Sequence, residues 1–514
     1  MQKLKYIWFT HDGGGISIAR KLIDEGNTVI IAQIQSIEEL HNDKDAEKPE
    51  DKKHRLALFN GLVQKYDAKE VIKMMAKIKN KDEWFVVFDF NNLWYYSELI
   101  LKMGFTQGFF PLKKDFDFEQ DRDAGKDFVK KYYPSLKVGE KHEFKTTDDG
   151  VKFLDTDASG NIYVLKSFDE AGSTVLPMSS DPELAKEEIK GALELEKSDY
   201  EKKGYLLEQK IVDPLEITPE AMWYNGKLIC TIVDIENKPV GAGSLGNMTG
   251  CSGNLIFHTN PDDEINKIAF PPKIHQMAKE HKGLMVWDAS ILIDPKTGEK
   301  YFGEFCANRW GWDSFFTELS MCKSVSDYFE ALVEGRNPIE KQFGVGIRMF
   351  NLKKHIDVPI IFKDSEEGVF MYDATTTDKK IVSCGVGWDL LVATGSDNDA
   401  NKSVDSAYDV LDGVSFTNGY YRPRFDFLSR EYHNSIIRRY EYANHKFFEL
   451  PDFTGNRSNT YSKLAQAFEE DKAMMQQDHD KYTYAKDEEV KKVKLKHKND
   501  IDKVKKQLKD ALAD

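Results

Sequence analysis

Two buried strands that end in polar residues constrain this chain more than any other feature of its sequence. Residues 161–166 (Asn-Ile-Tyr-Val-Leu-Lys) and residues 205–211 (Tyr-Leu-Leu-Glu-Gln-Lys-Ile) are both rich in apolar and aromatic side chains. A strand that only packs against a core does not need the polar residues at these two ends. A third strand of this kind follows at residues 301–309. The order and spacing of the three strings indicate strands that clamp a ligand between them.

Length and charge limit the fold and the partners. The chain has 514 residues, too many for a single hydrophobic core, so about three or four domains are expected. Its apolar content of 40% and aromatic content of 12% are typical of a globular protein. A net charge of -15 would repel phosphates and anionic headgroups, so we expect neither nucleic acid nor a membrane as a partner. A local basic pocket is still compatible with this charge.

The cysteines and the N-terminus predict a soluble, cytoplasmic protein. The five cysteines form no CxxC pair, and an odd number fits reduced thiols better than a disulfide framework. The sequence opens directly on a short strand, without the pattern of a signal peptide. No apolar run approaches the length needed to span a bilayer.

The N-terminal region has the pattern of an open α/β domain. A glycine turn, Gly13-Gly14-Gly15, lies between the first strand and the first helix. Strands are predicted at residues 4–9, 28–33 and 84–89, and helices at residues 16–25 and 95–103. Alternating strands and helices predict a sheet covered by helices up to about residue 115.

The rest of the chain predicts three further regions. Residues 115–123 are acidic and are interpreted as a linker or exposed turn, a helix begins near Ala124, and a charged helix is predicted at residues 181–203. Residues 346–430 are rich in strand and turn signals. The predicted domains are 1–115 (open α/β), 116–345 (two-lobed), 346–430 (small and strand-rich) and 431–514 (a charged helical extension).

The last residues predict a helix with a narrow apolar stripe. Beyond Tyr482 the chain contains neither proline nor glycine, and apolar residues recur at three- and four-residue spacing. A solvated surface helix is the favoured interpretation, and a short coiled coil is the alternative. We therefore expect a monomer, or a weak homo-oligomer formed through this helix.

The polar strand ends suit a nucleotide. Lys166 at the end of a buried strand can bind a phosphate oxygen, although a lysine that extends to solvent from a strand end is an equally good explanation for this residue alone. The second strand favours the first explanation. An adenine ring needs apolar walls and a hinge, where Glu208 or the Gln209 carbonyl accepts the exocyclic amine and the Ile211 amide donates to the ring. Glu216 lies close enough in sequence to reach a ribose.

Two carboxylates further along the chain predict a metal site. Asp288 follows a buried apolar run, and Glu304 lies on the next strand across a Pro-Lys-Thr-Gly turn. Two antiparallel strands would bring these side chains together. Hard oxygen ligands beside a triphosphate suit Mg²⁺ or Mn²⁺.

The order of these motifs over residues 4–430 resembles the ATP-grasp superfamily, and within it the glycinamide ribonucleotide synthetases (phosphoribosylamine–glycine ligases). The matching motifs are the Gly13–Gly15 turn, residues 85–93, residues 125–130 (Gly-Lys-Asp-Phe-Val-Lys), residues 161–166, residues 246–253 (Gly-Asn-Met-Thr-Gly-Cys-Ser-Gly), residues 304–309 and residues 407–422. Their order is more specific than any one of them.

The resemblance implies an ATP-dependent ligase of purine biosynthesis that joins an amino acid such as glycine to an amine through an acyl phosphate. It implies an α/β fold with a pre-ATP-grasp domain, an ATP-grasp domain and a strand-rich C-terminal domain. The implied site residues are Lys166 and Arg309 for catalysis; Lys126, Lys166, Glu208, Gln209, Lys210, Ile211 and Glu216 for ATP; Gly13, Gly14, Gly15, Asp89, Asn247, Thr249 and Gly250 for substrate; and Asp288, Glu304 and Asn308 for the metal.

The chain departs from the family in three places. Residues 171–175 (Ala-Gly-Ser-Thr-Val) lack the lysine of the family's phosphate loop. In the family pattern Glu-x-Asn-x-Arg, the asparagine position is Cys306 here, and a thiol is a poor Mg²⁺ ligand. A bulge that brings in Asn308 and Arg309 is the favoured register, and lost metal binding is the alternative. Trp310 and Trp312 indicate either a bulkier, flatter substrate or core packing.

Two other functions are compatible with parts of the sequence. A catalytically reduced nucleotide-binding or interaction protein would explain Cys306. A nicotinamide-dependent dehydrogenase is disfavoured, because the Gly13–Gly15 turn is not GxGxxG and no acidic ribose ligand ends the second strand.

Overall fold

The structure is a computed structural model that describes residues 3–36, 47–167, 174–211, 214–241, 248–294 and 297–424. All of these belong to one unit, Met1–Glu449, and the second unit, Leu450–Asp514, lies outside the described residues. The predicted extension 431–514 and its helical stripe therefore also lie outside them.

The N-terminal region is an open, parallel α/β sheet, as predicted. Its elements are β1 (Lys5–Thr10), α1 (Ile16–Asp24), β2 (Thr28–Gln33), α2 (Pro49–Ala57), β3 (Lys65–Asp67), α3 (Ala68–Met75), β4 (Trp84–Phe88), α4 (Trp94–Lys102) and β5 (Gly108–Phe109), with short 3₁₀ turns at Lys81–Glu83 and Asn91–Leu93. The strand order is β3-β2-β1-β4-β5, and every neighbouring pair is parallel. Its core contains the fully buried side chains of Ile7, Phe9, Val86 and Phe88.

A small four-stranded sheet follows. Its elements are α5 (Lys113–Gln120), α6 (Arg122–Tyr132), β6 (Lys141–Phe144), α7 (Thr147–Thr156), β7 (Ile162–Ser167), β8 (Thr174–Val175), α8 (Pro182–Leu195), α9 (Lys197–Lys203) and β9 (Tyr205–Lys210). The strand order is β6-β9-β7-β8, and Leu165, Leu207, Ile189 and Leu193 form its core.

Two sequence predictions were wrong in this region. The acidic stretch expected to be a linker is mostly helix α5, because Asp115 caps its N-terminus and Lys113 pairs with Asp117 one turn away. The single charged helix expected at residues 181–203 is two helices. The chain leaves the helical path at Glu196, and Tyr200 then packs into the core beside Tyr205.

The large sheet extends the N-terminal one. Its strands are β10 (Leu215–Tyr224), β11 (Lys227–Pro239), β12 (Met248–Thr259), β13 (Leu284–Ile293), β14 (Lys300–Ala307), β15 (Phe343–Phe350), β17 (Val369–Met371) and β20 (Asp389–Asp397). The order β17-β20-β15-β12-β11-β10-β13 is antiparallel, and β13 then joins β5 through the parallel pair Leu284–Phe109. As predicted, β13 and β14 are antiparallel neighbours.

Helices cover this sheet, and short strand pairs complete the third region. The helices are α10 (Glu264–Ala269), α11 (Pro272–Glu280), α12 (Trp312–Ser320), α13 (Val325–Val333) and α14 (Ala400–Asp412), and the pairs are β16 (Ile361–Phe362) with β21 (Val414–Ser415) and β18 (Thr375–Thr377) with β19 (Lys380–Val382). The third region, predicted at residues 346–430, is rich in strands, and α14 is its one long helix among the described residues.

Two further observations concern the cysteines and the helices. All five cysteines lie in the described residues, and none of them forms a disulfide. No helix within the described ranges is both long enough and apolar enough to cross a membrane.

Candidate active site

The floor of the main cleft is one face of three neighbouring strands. Side chains two residues apart share a face of a strand. The polar positions that follow this rule are Glu216, Thr218 and Glu220 on β10, Asp234, Glu236 and Lys238 on β11, and Asp288 and Ser290 on β13. Thr218 pairs with Asp234 and Glu220 pairs with Asp288, so the three rows lie side by side. The cleft above them has a volume of about 1180 Å³, and its other wall includes β7 and β9.

On that other wall two lysines share one carboxylate. Lys126 Nζ donates to one oxygen of Glu208 at 2.5 Å, and Lys166 Nζ donates to the other oxygen at 2.5 Å. Burial opposes the charge of Glu208, but Lys166 and Lys126 more than offset it and hold its pKa below its usual range. Two ammonium groups against one carboxylate leave a net positive charge facing the cleft. A phosphate group can therefore bind there.

The residues around the predicted hinge do not all face the cleft. The Gln209 side chain donates to Asn161 at 3.3 Å, and Lys210 Nζ donates to the Pro177 carbonyl at 2.6 Å. Neither side chain lines the cleft, and nor does Ile211. Glu208 contributes its carboxylate to the lysine pair, so any contact of residues 209–211 with an adenine ring would be made by backbone groups.

Lys238 lies among the carboxylates expected near a metal. Its Nζ is 2.9 Å from Glu216, 3.3 Å from Glu304 and 3.7 Å from Glu236. Burial lowers the pKa of this ammonium, but Glu216, Glu304 and Glu236 outweigh it and raise the pKa. Ser290 also donates to Glu216, at 2.7 Å. The space that a divalent cation would share with these carboxylates is therefore filled by the ammonium group.

The described residues do not fit a divalent cation in this arrangement. Among them, no three His, Cys, Asp or Glu side chains form a group that could hold a metal ion. Asp288 accepts a hydrogen bond from the Cys306 amide at 2.8 Å, and burial, together with Glu220, raises its pKa well above the usual range. Burial without a cation therefore opposes the ionised carboxylate that Mg²⁺ would need as a ligand.

Cys306, and not Asn308, lines the cleft. Asp288 lies opposite Cys306 in the β13–β14 ladder, and β14 ends at Ala307. Asn308 then adopts a left-handed backbone, with a φ of 49°, and is fully buried. Its amide donates to the Phe110 carbonyl at 2.9 Å and to Asp115 at 3.1 Å. The prediction that a bulge brings Asn308 to the metal position was therefore wrong, because the turn directs Asn308 into the interior.

Arg309 does reach the cleft. Its guanidinium pairs with Glu119 and lies 4.6 Å from the centre of the Phe90 ring. Burial lowers the pKa of Arg309, but the pairing with Glu119 offsets it and raises the pKa. Glu119 also accepts from Asn91 at 2.7 Å, so the carboxylate that orients the guanidinium is itself fixed.

The predicted substrate residues are divided between the cleft and its surroundings. Gly14 lines the cleft, whereas Gly13 and Gly15 do not. Gly15 donates to Asp89 at 3.3 Å, and Asp89 is buried behind this turn. A Cβ on Gly15 would lie 2.6 Å from the Trp8 ring, which explains the glycine.

The second predicted substrate loop lies beside Lys238. Gly250 lines the cleft, and Thr249 donates through its hydroxyl to the Lys238 carbonyl at 2.6 Å, which holds this part of β11. Asn247 lies outside the described residues. The altered phosphate loop, residues 171–175, lies mostly outside them as well.

Solved structures share this architecture. A phosphoribosylamine–glycine ligase from Thermotoga maritima matches with a TM-score of 0.56 and 15% identity, over 82% of this chain and 99% of that chain. The biotin carboxylase domain of the Hydrogenobacter thermophilus 2-oxoglutarate carboxylase, solved with ADP, its magnesium salt and bicarbonate, matches with a TM-score of 0.50 and 13% identity, over 82% of this chain and 92% of that domain. The chain has the ATP-grasp fold. No family model and no curated protein sequence matches it.

Within this ATP-grasp fold the two tryptophans that follow Arg309 differ in role. Trp310 is fully buried, with its ring 4.0 Å from that of Phe109 and 4.2 Å from that of Phe315. Trp312 lines the cleft instead, against Gly14. Trp310 is therefore a core residue. Trp312 is in a position to contact a substrate, which keeps the interpretation of a changed substrate pocket open for this residue.

Sequence reasoning missed several residues of the cleft. They are Glu119, Glu220, Asp234, Glu236, Lys238, Asp313, Arg348, Tyr372, Trp388 and Asp389. A period-two run of polar residues in the otherwise apolar strand β11 would have revealed the three floor residues Asp234, Glu236 and Lys238. The residues from β15 and from the segment before β20 had no local signal, because only the order of strands in the sheet brings them to the cleft.

Proposed function

We propose that this protein is an ATP-dependent ligase that joins a carboxylate to an amine through an acyl phosphate. The observation that supports this most directly is the arrangement of Lys126, Lys166 and Glu208 at one wall of a deep cleft in an ATP-grasp fold. A buried lysine on α6 and a half-buried lysine on β7 that meet at one carboxylate suit the phosphates of ATP. The carboxylate between them positions both ammonium groups.

The reaction would use positioning and charge instead of a protein nucleophile. A carboxylate oxygen of the first substrate attacks the γ-phosphorus of ATP, the bond to the β-phosphate oxygen breaks, and ADP leaves. The amine nitrogen then attacks the acyl carbon, phosphate leaves, and the nitrogen loses a proton. Lys126 and Lys166 would stabilise charge on the phosphates, and Arg309 would stabilise charge on the acyl phosphate.

Metal chemistry is not assigned to the floor carboxylates in this arrangement. Lys238 fills the space among Glu216, Glu236 and Glu304, and burial raises the pKa of the Asp288 carboxyl well above its usual range. In the proposed reaction, ATP would enter with its own Mg²⁺ as part of the substrate. The chain's residues would bind the phosphates directly, through ammonium and guanidinium groups.

The resemblance supports an amino acid such as glycine as the carboxylate substrate. It also supports phosphoribosylamine as the amine and purine biosynthesis as the pathway. The acidic residues Asp313 and Asp389 of the cleft do not favour the phosphate group of phosphoribosylamine.

A second candidate is a nucleotide-binding protein without turnover. One observation favours it: Lys238 fills the space among carboxylates where a cation would assist phosphoryl transfer. Such a protein would bind ATP through Lys126 and Lys166 and release no ADP.

Release of ADP distinguishes the two candidates. The purified full-length protein would be incubated with ATP, Mg²⁺ and hydroxylamine, together with each of the common amino acids, and both ADP and hydroxamate would be measured. We expect one class of amino acid to stimulate both products, and Lys166→Met to lower the rate by about 10²-fold to 10³-fold.

Two further variants complete the experiment. Glu304→Ala removes a carboxylate from the cleft, whereas Glu299→Ala, on the turn before the same strand, removes one that pairs with Lys137 outside it. The ligase proposal is abandoned if no amino acid stimulates ADP release and Glu304→Ala matches the wild type. Binding of ATP without any turnover would support the second candidate.

A further inference from the structure

One part of the cleft has aromatic walls. Trp312 begins α12, Tyr372 follows β17 and Trp388 precedes β20, so three separate segments each contribute one ring to this part. We call the part of the cleft lined by these three side chains, Arg348 and Asp389 the acceptor end. Trp312 lies so close to Gly14 that a Cβ on that glycine would be 2.8 Å from the indole nitrogen. The glycine turn therefore leaves room for this ring.

The guanidinium of Arg348, at the acceptor end, already has carboxylate partners. Arg348 is 7% exposed, and it donates to Asp313 at 3.0 Å and to Asp389 at 2.8 Å. Two carboxylates thus neutralise the one guanidinium. Asp12 and Asp373 also line this part of the cleft, which leaves it with an excess of negative charge. A phosphorylated ligand would be repelled there, whereas an ammonium group would be attracted.

Buried acceptors at this end have no partner among the described residues. Asp234 is 2% exposed, and one of its oxygens accepts no hydrogen bond, although the other accepts from Asn254 at 3.1 Å. Ser314, next to Asp313, also donates to Asp234, which links this carboxyl to the acceptor end. The Tyr372 hydroxyl is likewise buried without a partner. Buried polar atoms of this kind are normally satisfied, so both point to a ligand, and the Asp234 oxygen points to one that donates a hydrogen bond.

We propose that the acceptor end binds the amine substrate, and that this amine is an organic cation with a flat or hydrocarbon body and without a phosphate group. Aromatic faces and carboxylates together favour a cation. This inference rests on the ligase function proposed above and names the substrate class of its second step.

The chemistry of the second step fits a cationic amine. The attacking ammonium first gives up a proton, and the free electron pair of its nitrogen forms a bond to the acyl carbon. The bond from that carbon to the phosphate oxygen breaks, and phosphate leaves with its electron pair. The nitrogen then loses a second proton and the product is an amide. In a diamine or a guanidino amine, the second cationic group stays charged among the carboxylates and fixes the orientation of the attacking nitrogen.

Binding can be measured without knowledge of the carboxylate substrate. The full-length protein would be titrated with agmatine and tryptamine, and separately with glucosamine 6-phosphate and phosphoethanolamine, by calorimetry and by tryptophan fluorescence. We expect the two unphosphorylated cations to bind at least about tenfold more tightly than the two phosphorylated amines.

Variants identify the site of binding. Asp389→Asn keeps the shape of the side chain and removes its charge, and Trp388→Ala removes one wall; each should weaken agmatine binding about tenfold. Trp94→Ala, on α4 outside the cleft, is the matched control and should leave binding unchanged. Thermal unfolding of each variant tests whether it is folded, and the milder Trp388→Phe replaces Trp388→Ala if that variant is not.

The outcomes separate this inference from the ligase function. Hydroxamate formation with hydroxylamine, a small neutral nucleophile, tests ligation without using the acceptor end. If hydroxamate forms but the phosphorylated amines bind as tightly as agmatine, or if Asp389→Asn and Trp388→Ala bind agmatine as the wild type does, the inference is overturned and the ligase function stands. If agmatine binds and both variants weaken it but hydroxamate does not form, the binding site stands and the ligase function is overturned.

Discussion

The two walls of the cleft differ in how they use charge. At the lysine pair of the small-sheet wall, Lys126 and Lys166 share Glu208, so positive charge exceeds negative charge where phosphates would bind. Elsewhere on this wall Lys141 lies between Asp123 and Glu143, so the excess of positive charge is confined to the pair. On the large-sheet wall, single cations are surrounded: Lys238 lies among three carboxylates and Arg348 between two. The same side-chain types thus form an anion site on one wall and a cation-attracting surface on the other. The ratio of charges, and not their presence, distinguishes the two.

The pKa values follow the same division. On the small-sheet wall the Glu208 pKa is held low by its two lysines. On the large-sheet wall burial raises the pKa of Asp234 to about 7 and that of Glu318, beneath the floor, to about 8. Carboxyls that are buried without enough cations hold their protons. Burial therefore opposes ionisation of Asp234 and Glu318, whereas the lysine pair favours ionisation of Glu208.

The largest expected effect is on stability, at the Arg348 pair. Asp313→Asn leaves a buried guanidinium with one carboxylate instead of two, and breaking such a pair costs about 3–5 kcal/mol of unfolding free energy. Denaturant unfolding measures this. Asp405→Asn is the control, since its partner Arg424 is exposed and the loss there should stay below about 1 kcal/mol. Equal losses of unfolding free energy in the two variants would mean that burial does not strengthen the Arg348–Asp313 ion pair.

The next effect is on turnover, at the lysine pair. Lys126→Met removes one of two ammonium groups from the phosphate position and should lower kcat/KM for ATP by about 10²-fold to 10³-fold. Steady-state ADP release measures it. Lys130→Met lies one turn further along the same helix, where its side chain is exposed, and should match the wild type. A parallel loss in both variants would indicate damage to α6 instead of a phosphate site.

The third prediction concerns pH and the buried floor. Because the folded protein raises the pKa of Glu318 to about 8, it binds this proton more tightly than the unfolded chain does. The associated stability is fully present below the unfolded pKa of about 4.3 and is lost as the pH rises through about 8. Glu318→Gln should remove this loss, on the order of 2 kcal/mol between about pH 6.5 and about pH 8.5.

Unfolding free energies at a series of pH values measure this slope. Glu194→Gln, an exposed site on α8, provides the control and should keep the wild-type pH dependence. A Glu318→Gln protein whose stability still falls with rising pH would show that other floor carboxyls, such as Asp234, dominate.

The smallest expected effect is a gain of metal affinity at Lys238. Lys238→Met leaves Glu216, Glu236 and Glu304 without their ammonium group, so Mn²⁺ should bind about tenfold more tightly in the absence of nucleotide. Electron paramagnetic resonance of free Mn²⁺ measures this. Lys141→Met, which removes the partner of Asp123 and Glu143 on the small-sheet side, is the control. Unchanged affinity in Lys238→Met would mean that the floor carboxylates are too far apart to share an ion.

Local sequence was sufficient where one element determines the outcome. The first strand and helix and strands β2 and β4 were predicted to within about a residue of their bounds, because their apolar runs end at glycine or polar turns. Prediction from local sequence failed at α5, where the acidic composition suggested a linker. A cap and an i,i+4 pair stabilise that helix, and composition alone does not reveal either.

From the sequence came the ATP-grasp fold and the prediction that Lys126, Lys166 and Glu208 bind the nucleotide, but not the convergence of the two lysines on Glu208. Those predictions depended on buried runs, on their sequence order and on the resemblance between motifs. Tertiary structure decided the rest of the site. The strand end at Ala307 turned Asn308 inward and left Cys306 facing the cleft. The order of strands in the large sheet brought Lys238, Arg348 and Trp388 to the same cavity from distant segments. Contacts between segments so far apart along the chain leave no local pattern, so only the folded sheet reveals them.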